Sequence, residues 1–482
     1  MACIATAQWL SRCEIYVLYD HEEPTMTRRF TLTVLTLALA GACERTRPAQ
    51  PTTDPRVSAL LAEISPSRLR QTVTTLAAFG TRNTLSDTTS TDRGIGAARE
   101  WIHRALEETS PRLQVSFDVH QLAQQGRITR PVELRNVIAV LPARSSRRVY
   151  ITAHYDTVNI GPRAQIGANT QPGTIVPDPQ LDPAQDYDAA APGANDNGSG
   201  TALTMELARV FATSGVVFDA TLVFALWAGE EQGLFGSRAH AQRLQEENLV
   251  VEANLNNDIV GNSHGGDGVV DAATVRLYAQ GPEDSMSRSL ARYIGQAAAL
   301  YVPSHKVRLM AREDRFSRAS DHTAFTVHGF PAVVFRESKE NFRRQHGSED
   351  KPEGVDAGYL AQNARVNAAA AALIALAPPA PRVVNEKGQP MIGRQPSGYD
   401  ANLRWLASPG AVSYRIYRRG PWAQTWESFL PIGNVTGHVV QGQSIDDWVF
   451  GVAAVGGNGH ESLISAYVPR SRTDADIKFR KH

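Results

Sequence analysis

Residues 221–231 read T-L-V-F-A-L-W-A-G-E-E. From Thr221 to Ala228 the run is almost continuously apolar, and it stops at a glycine and two acids. A strand with one face in water alternates apolar and polar residues, whereas a strand covered on both faces need not. Residues 148–153, R-V-Y-I-T-A, behave in the same way and lead directly into His154 and Asp156. Two such buried strands call for helices on both sides of the sheet.

The surrounding pattern supplies those helices. Helices are predicted over 57–64, 66–77, 94–107, 199–213, 234–247, 285–300, 323–327 and 357–376. Strands are predicted over 113–120, 132–141, 148–153, 221–226, 249–254, 274–279 and 332–335. The expected fold class is a three-layer α/β/α sandwich around a largely parallel mixed sheet. Residues 159–194 carry Gly, Pro and Asp without a period, and a loop this long beside strand ends is expected to form a rim or lid over a cleft. Beyond A-P-P-A-P-R at 377–382, six or seven short strands are predicted in about a hundred residues, as in a β-sandwich.

Composition narrows the function. The 482-residue chain balances 49 Lys+Arg against 49 Asp+Glu, so it lacks the basic surplus that nucleic-acid binding needs. Its cysteines, Cys3, Cys13 and Cys43, all precede the folded body. No disulfide or cysteine-ligated metal is therefore expected in that body. Residues 26–43 begin with Arg28-Arg29, continue through an apolar run too short to span a bilayer, and end in Ala40-Gly41-Ala42-Cys43. This is the form of an export signal. Cys43 is the candidate lipidation site of a bacterial lipoprotein box, with simple cleavage as the alternative. Residues 1–25 are unlike an export signal, as though the start lay at Met26. Residues 44–55 form a linker.

Chemistry gathers at the strand ends, where open α/β sheets place their ligands. His154 and Asp156 stand two apart at one end, so both side chains point the same way. The histidine is a candidate metal ligand, and the acid is suited to orient its ring. Asp196 lies in G-A-N-D-N-G-S-G, where one carboxylate could bridge two cations; Asn195, Asn197 and Ser199 could serve as the helix cap in its place. Glu230 and Glu231 can divide coordination from proton transfer. Asp258, in N-N-D-I-V-G, ends another strand-like run, and His346 lies in Q-H-G-S-E-D. Each motif alone has a plain structural reading, as a surface pair, a cap or solvated acids. Together, two imidazoles and three carboxylates can hold two zinc ions and leave Glu230 spare, the inventory that two-metal amide hydrolysis needs.

The ordered set H-x-D, N-D-N-G-S-G, G-E-E-x-G-L-x-G-S, D-x-V-G and a late H-x-x-x-D resembles the two-zinc aminopeptidases of metallopeptidase family twenty-eight. The likeness covers residues 56–378, including F-G-T-R-N-T and G-I-G-A-A-R-E-W-I near the start. It implies a zinc peptidase domain with two Zn2+. His154, Asp196 and Asp258 would hold one ion, and Asp196, Glu231 and His346 the other. Asp156 would orient His154, and Glu230 would be the general base toward a hydroxide bridging metals about 3.5–4 Å apart. A cis peptide at Asp196-Asn197 is implied as well. The implied activity is removal of N-terminal residues from peptides or proteins by an exported enzyme of the cell envelope or the secreted pool, with membrane contact only through a lipid at Cys43.

One departure is Gln345, where many relatives have a tyrosine before the last histidine ligand. Asp321 and His322 in S-D-H are candidate substitutes for oxyanion or substrate contact, and His322 is the alternative late ligand. Three other functions stay open: a glutaminyl-peptide cyclase with one zinc, a carboxypeptidase-like zinc enzyme, and a non-catalytic binding ectodomain. Residues 383–475, with N-L-R-W and Y-R-I-Y-R-R, resemble a fibronectin type III module.

Overall fold

The computed structural model describes residues 53–161, 180 and 185–468. The export signal, Cys43, most of the linker and most of the 159–194 segment lie outside these residues.

Three helices open the described chain: α1 (Pro55–Ala62), α2 (Pro66–Ala78) and α3 (Gly94–Glu107). Asp54 and Ser65 cap the first two with side-chain oxygens, and a proline follows each cap, where its missing N–H costs nothing. Strands and helices then alternate as β1 (Gln114–Leu122), β2 (Val132–Leu141), β3 (Ser145–His154), α4 (Gly198–Thr213), β4 (Ala220–Trp227), α5 (Phe235–Glu246), β5 (Val251–Asn257), β6 (Thr274–Ala279), α6 (Met286–Tyr301), β7 (Lys306–Met310), α7 (His322–Val327), β8 (Ala332–Glu337) and α8 (Ala357–Leu376).

The eight strands form one sheet in the order β1-β2-β4-β3-β5-β8-β6-β7. The central pairs β4/β3, β3/β5 and β5/β8 are parallel, as is β6/β7, while β1/β2, β2/β4 and β6/β8 are antiparallel. Strand β4 shows why its sequence lacks alternation. Leu222, Phe224 and Leu226 face the core shared with α4 and α8, and Val223, Ala225 and Trp227 face the layer of α5 and α7. All eight of its residues are buried.

Two differences from the predicted elements have a physical cause. Strand β5 is shifted toward the C-terminus, through Asn254, Asn256 and Asn257, and these buried amides hide it from a hydrophobic pattern. Thr152 shares its hydroxyl hydrogen between Asn254 and Asn256, while Asn256 and Asn257 donate to Ser320 and Asn367, so burial is compensated except at Asn254 Nδ2 and Asn257 Oδ1. The edge strand β7 escapes prediction because K-V-R-L-M carries two cations on a half-covered edge.

Seven further strands follow. A three-stranded antiparallel sheet contains β9 (Ile392–Arg394), β10 (Ala401–Arg404) and β13 (Gly437–Val440). A four-stranded sheet contains β11 (Ala411–Arg419), β12 (Ser428–Ile432), β14 (Val449–Gly456) and β15 (Ser465–Ala466). Leu403, Trp405, Tyr414, Ile416, Phe450 and Val452 belong to their common core. These sheets rest against α6. Ser289 donates to the Ile464 carbonyl, Tyr293 to the Glu461 carbonyl and Arg292 to the Gln424 carbonyl, and Arg419 pairs with Asp284. Leu463 is buried in the core of the first body. No helix among the described residues is long and apolar enough to cross a membrane.

Candidate metal centre

The carboxyl ends of β3, β4 and β5 bring His154, Glu230 with Glu231, and Asp258 to one side of the sheet. The turn before α4 adds Asp196. This turn depends on glycines: a Cβ on Gly193, at φ +52°, would lie 2.1 Å from Thr157 Cγ2, and one on Gly200 would lie 2.3 Å from the Asn257 carbonyl. Asn197 caps α4 by accepting the Gly200 N–H. With the cap supplied there, the Asp196 carboxylate is free to face the pocket. The Asp196–Asn197 peptide is cis. Asp350 holds the same turn, its carboxylate accepting the N–H groups of Asn195 and Asp196 at 3.0 and 2.7 Å.

Asp196 lies between two imidazoles. Its Oδ1 is 3.4 Å from His154 Nε2, and its Oδ2 is 3.1 Å from His346 Nε2. Asp258 Oδ1 is 3.6 Å from His154 Nε2, and Glu231 Oε2 is 3.4 Å from His346 Nε2. Two groups with metal-binding composition follow, His154 with Asp196 and Asp258, and His346 with Asp196 and Glu231. Within each, the ligand atoms lie within 4.8 Å of one another. Glu230 Oε2 is more distant, 4.0 Å from His154 Nε2, though His154, Glu230 and Glu231 also satisfy the same spacing.

Asp156 does more than support one ring. His154 Nδ1 is 3.2 Å from the Asp156 main-chain carbonyl and 3.5 Å from its carboxylate. That carboxylate also accepts the backbone N–H groups of Glu230 and Glu231 at 3.2 and 3.1 Å and the Thr84 hydroxyl at 3.2 Å. One buried acid thus ties the imidazole to both glutamates.

The pocket carries more negative charge than its own cations balance. Burial, opposed by His154 and reinforced by Asp258, Asp321 and Asp156, pushes the Glu230 carboxyl well above the usual range. Burial together with Asp196 and Glu230 does the same to Glu231, whose Oε1 is buried without a hydrogen-bond partner. Asp258 is held low, because Arg336 and His154 outweigh its burial. Arg336 is fully buried, with Nη1 2.7 Å from Asp258 Oδ2 and Nη2 2.9 Å from Asp314 Oδ2. Ser320 donates to the same Asp258 oxygen at 2.6 Å. Asp258 Oδ2 is thereby occupied, and Oδ1 remains for the pocket.

The S-D-H residues lie deeper. His322 is fully buried, its Nε2 3.1 Å from the Glu313 carbonyl and its pKa pushed down to about 4 by burial. Among the described residues it joins neither metal-binding group. Asp321 is also fully buried, at about 7 through burial, and its charge is felt at Glu230. Gln345 turns away from His346 to donate to Glu340 at 3.2 Å.

The sequence assigns no role to the supports Arg336, Asp350, Thr84 and Arg82, although F-G-T-R-N-T and the late H-x-x-x-D contain the last three. Arg336 had a visible signal, as a lone cation inside the apolar strand A-V-V-F-R-E. The Arg82 guanidinium donates to the carbonyls of Leu76, Tyr155, Pro192 and Gly193, which joins the end of β3 to the turn carrying Asp196.

Comparison with known proteins agrees with this geometry. Residues 136–371 match peptidase family M28. A probable zinc metalloprotease of Leptosphaeria maculans is 35% identical over 448 residues, covering 86% of this chain and 97% of that protein. One from Pyricularia oryzae is 36% identical over 450 residues, covering 85% of this chain and 84% of its own. In fold, the chain is similar to the Legionella pneumophila LapA aminopeptidase, with a TM-score of 0.50 over 68% of this chain and 78% of that one at 22% identity.

Proposed function

The chain belongs to peptidase family M28 and is a zinc metalloprotease, and on that premise we propose that it is an exported aminopeptidase with a two-zinc centre and Glu230 as general base. The observation that carries this reading is the Asp196 carboxylate, with one oxygen directed to each of two histidines. The donor set fits zinc. It offers imidazole and carboxylate ligands, an orphaned buried oxygen on Glu231, and crowded acids that two divalent cations would neutralise.

His154, Asp196 and Asp258 would hold one ion, and Asp196, Glu231 and His346 the other. Zinc bound there supplies a Lewis acid that polarises the scissile carbonyl and acidifies an attacking water. Asp156 holds the His154 ring and the Glu230-Glu231 backbone in one frame. Arg336 and Ser320 fix Asp258 so that a single oxygen faces inward. Glu230, whose backbone is pinned by Asp156, takes the proton from water and delivers it to the leaving amine.

Between Glu231 and Asp258 the chain forms only α5 and β5, leaving no inserted lid domain of the carboxypeptidase-like kind. The arginine-headed apolar segment before Cys43 supports export, with a lipid at that cysteine as the envelope anchor. The test combines a zinc-to-protein ratio from elemental analysis with turnover of aminoacyl chromogenic substrates. Two zinc ions per chain are expected, and N-acetylated substrates should not turn over. One zinc with cyclisation of N-terminal glutamine would favour the cyclase, and rapid cleavage of blocked peptides would refute the aminopeptidase.

A further inference from the structure

On the His346 side of the pocket, one guanidinium has only a long, shared ion pair. Arg318 lies between β7 and α7, two residues before the Ser320 that holds Asp258. Its Nη1 donates to Gln345 Oε1 at 3.4 Å, and Gln345 directly precedes His346. These two neighbours place Arg318 between the loops presenting Asp258 and His346. Its ion-pair partner, Glu340, is 3.9 Å away. That carboxylate is already engaged by Arg276 at 2.6 Å and Arg315 at 2.7 Å. A guanidinium has five N–H donors, and among the described residues only Nη1 of Arg318 has a partner. The side chain is 28% exposed, so the free donors can meet a ligand while part of their hydration is lost. Burial and the neighbouring Arg315 weaken its hold on the proton, and it lies within the field of Asp196. All of this describes a cation short of negative charge at the edge of an acidic pocket.

We propose that Arg318 binds a substrate carboxylate on the far side of the scissile bond. This rests on the aminopeptidase reading: a guanidinium repels the free α-ammonium, which favours a carboxylate beyond the bond to be cut over an acidic side chain on the first residue. The planar fork of Arg318 suits a carboxylate. Two sources share that chemistry, the terminal carboxylate of a dipeptide and an acidic side chain at the second residue.

Two matched pairs separate the sources: Leu-Gly against Leu-Gly-NH2, and Leu-Glu-NH2 against Leu-Gln-NH2. With zinc-loaded enzyme, kcat/KM should favour the carboxylate member of at least one pair by about tenfold or more, the scale of a charge-assisted contact. The favoured pair names the source. Arg318→Gln should bring that ratio close to one, and Arg318→Lys should retain part of it. Reduced-bond analogues of the same peptides, with CH2–NH in place of the scissile amide, repeat the comparison as binding constants without turnover. If the wild type shows no carboxylate preference in either assay, or if Arg318→Gln retains the preference, the proposal is overturned. If no peptide is cleaved while analogue binding still depends on Arg318, the aminopeptidase reading fails and the carboxylate site stands.

Discussion

The metal centre and the joint between α6 and the C-terminal sheets both bury charge, but they balance it differently. At the joint, Arg292 has Glu283, Arg419 has Asp284 and Arg415 has Glu461. At the centre, Asp196, Glu230, Glu231, Asp258 and Asp321 gather around His154, His346 and Arg336, with Arg82 and Arg318 acting on Asp196 only through the field. Buried charge without a partner is costly. The joint pairs each of these cations with an acid as folded, whereas the centre would reach such a balance only with added cations. An unbalanced cluster therefore marks a site, and a balanced one marks architecture.

Perturbing each region in turn tests that contrast. The largest expected effect is on the group that transfers the proton. Glu230→Gln should lower kcat by about 10²–10⁴-fold with zinc content unchanged, as read by turnover and elemental analysis together. Near-normal turnover would move the base elsewhere. Asp196→Asn removes charge from the carboxylate shared by both imidazoles and should leave at most one zinc per chain after dialysis. Full zinc content would break the bridging assignment. Arg336→Met removes the guanidinium from buried Asp258, leaves Asp314 with Arg315 alone, and should cost about 3–5 kcal/mol, seen as a lowered unfolding midpoint in the metal-free protein. Exposure to excess zinc should recover part of the loss. Smallest is Tyr293→Phe at the joint, which removes one hydrogen bond to the Glu461 carbonyl. About 1 kcal/mol is expected, with kcat and zinc content unaltered. A change in either would couple the two regions.

Much of this was legible in the sequence because the sheet is buried on both faces. T-L-V-F-A-L-W-A and R-V-Y-I-T-A announce β4 and β3 by lacking alternation, and their ends point to His154 and Glu230. Strand β5 was harder, since its buried asparagines find partners only once Thr152, Ser320 and Asn367 have come together. The supports were least legible. Arg336, Thr84 and Asp350 matter through partners distant in the chain, and although Thr84 and Asp350 fall within the quoted motifs, neither spacing nor periodicity says what they hold. The balance at the joint is hidden for the same reason: Arg419 and Asp284 are 135 positions apart.

The four-way grip of Arg82 limits how the chain can be shortened. Its guanidinium spans α2, the end of β3 and the Gly193 turn. A chain trimmed from its N-terminus keeps this grip only if Leu76 and Arg82 both remain. A nick or trim reaching Arg82 would release the Asp196 turn from its anchor and loosen the grouping of Asp196 with His154 and His346.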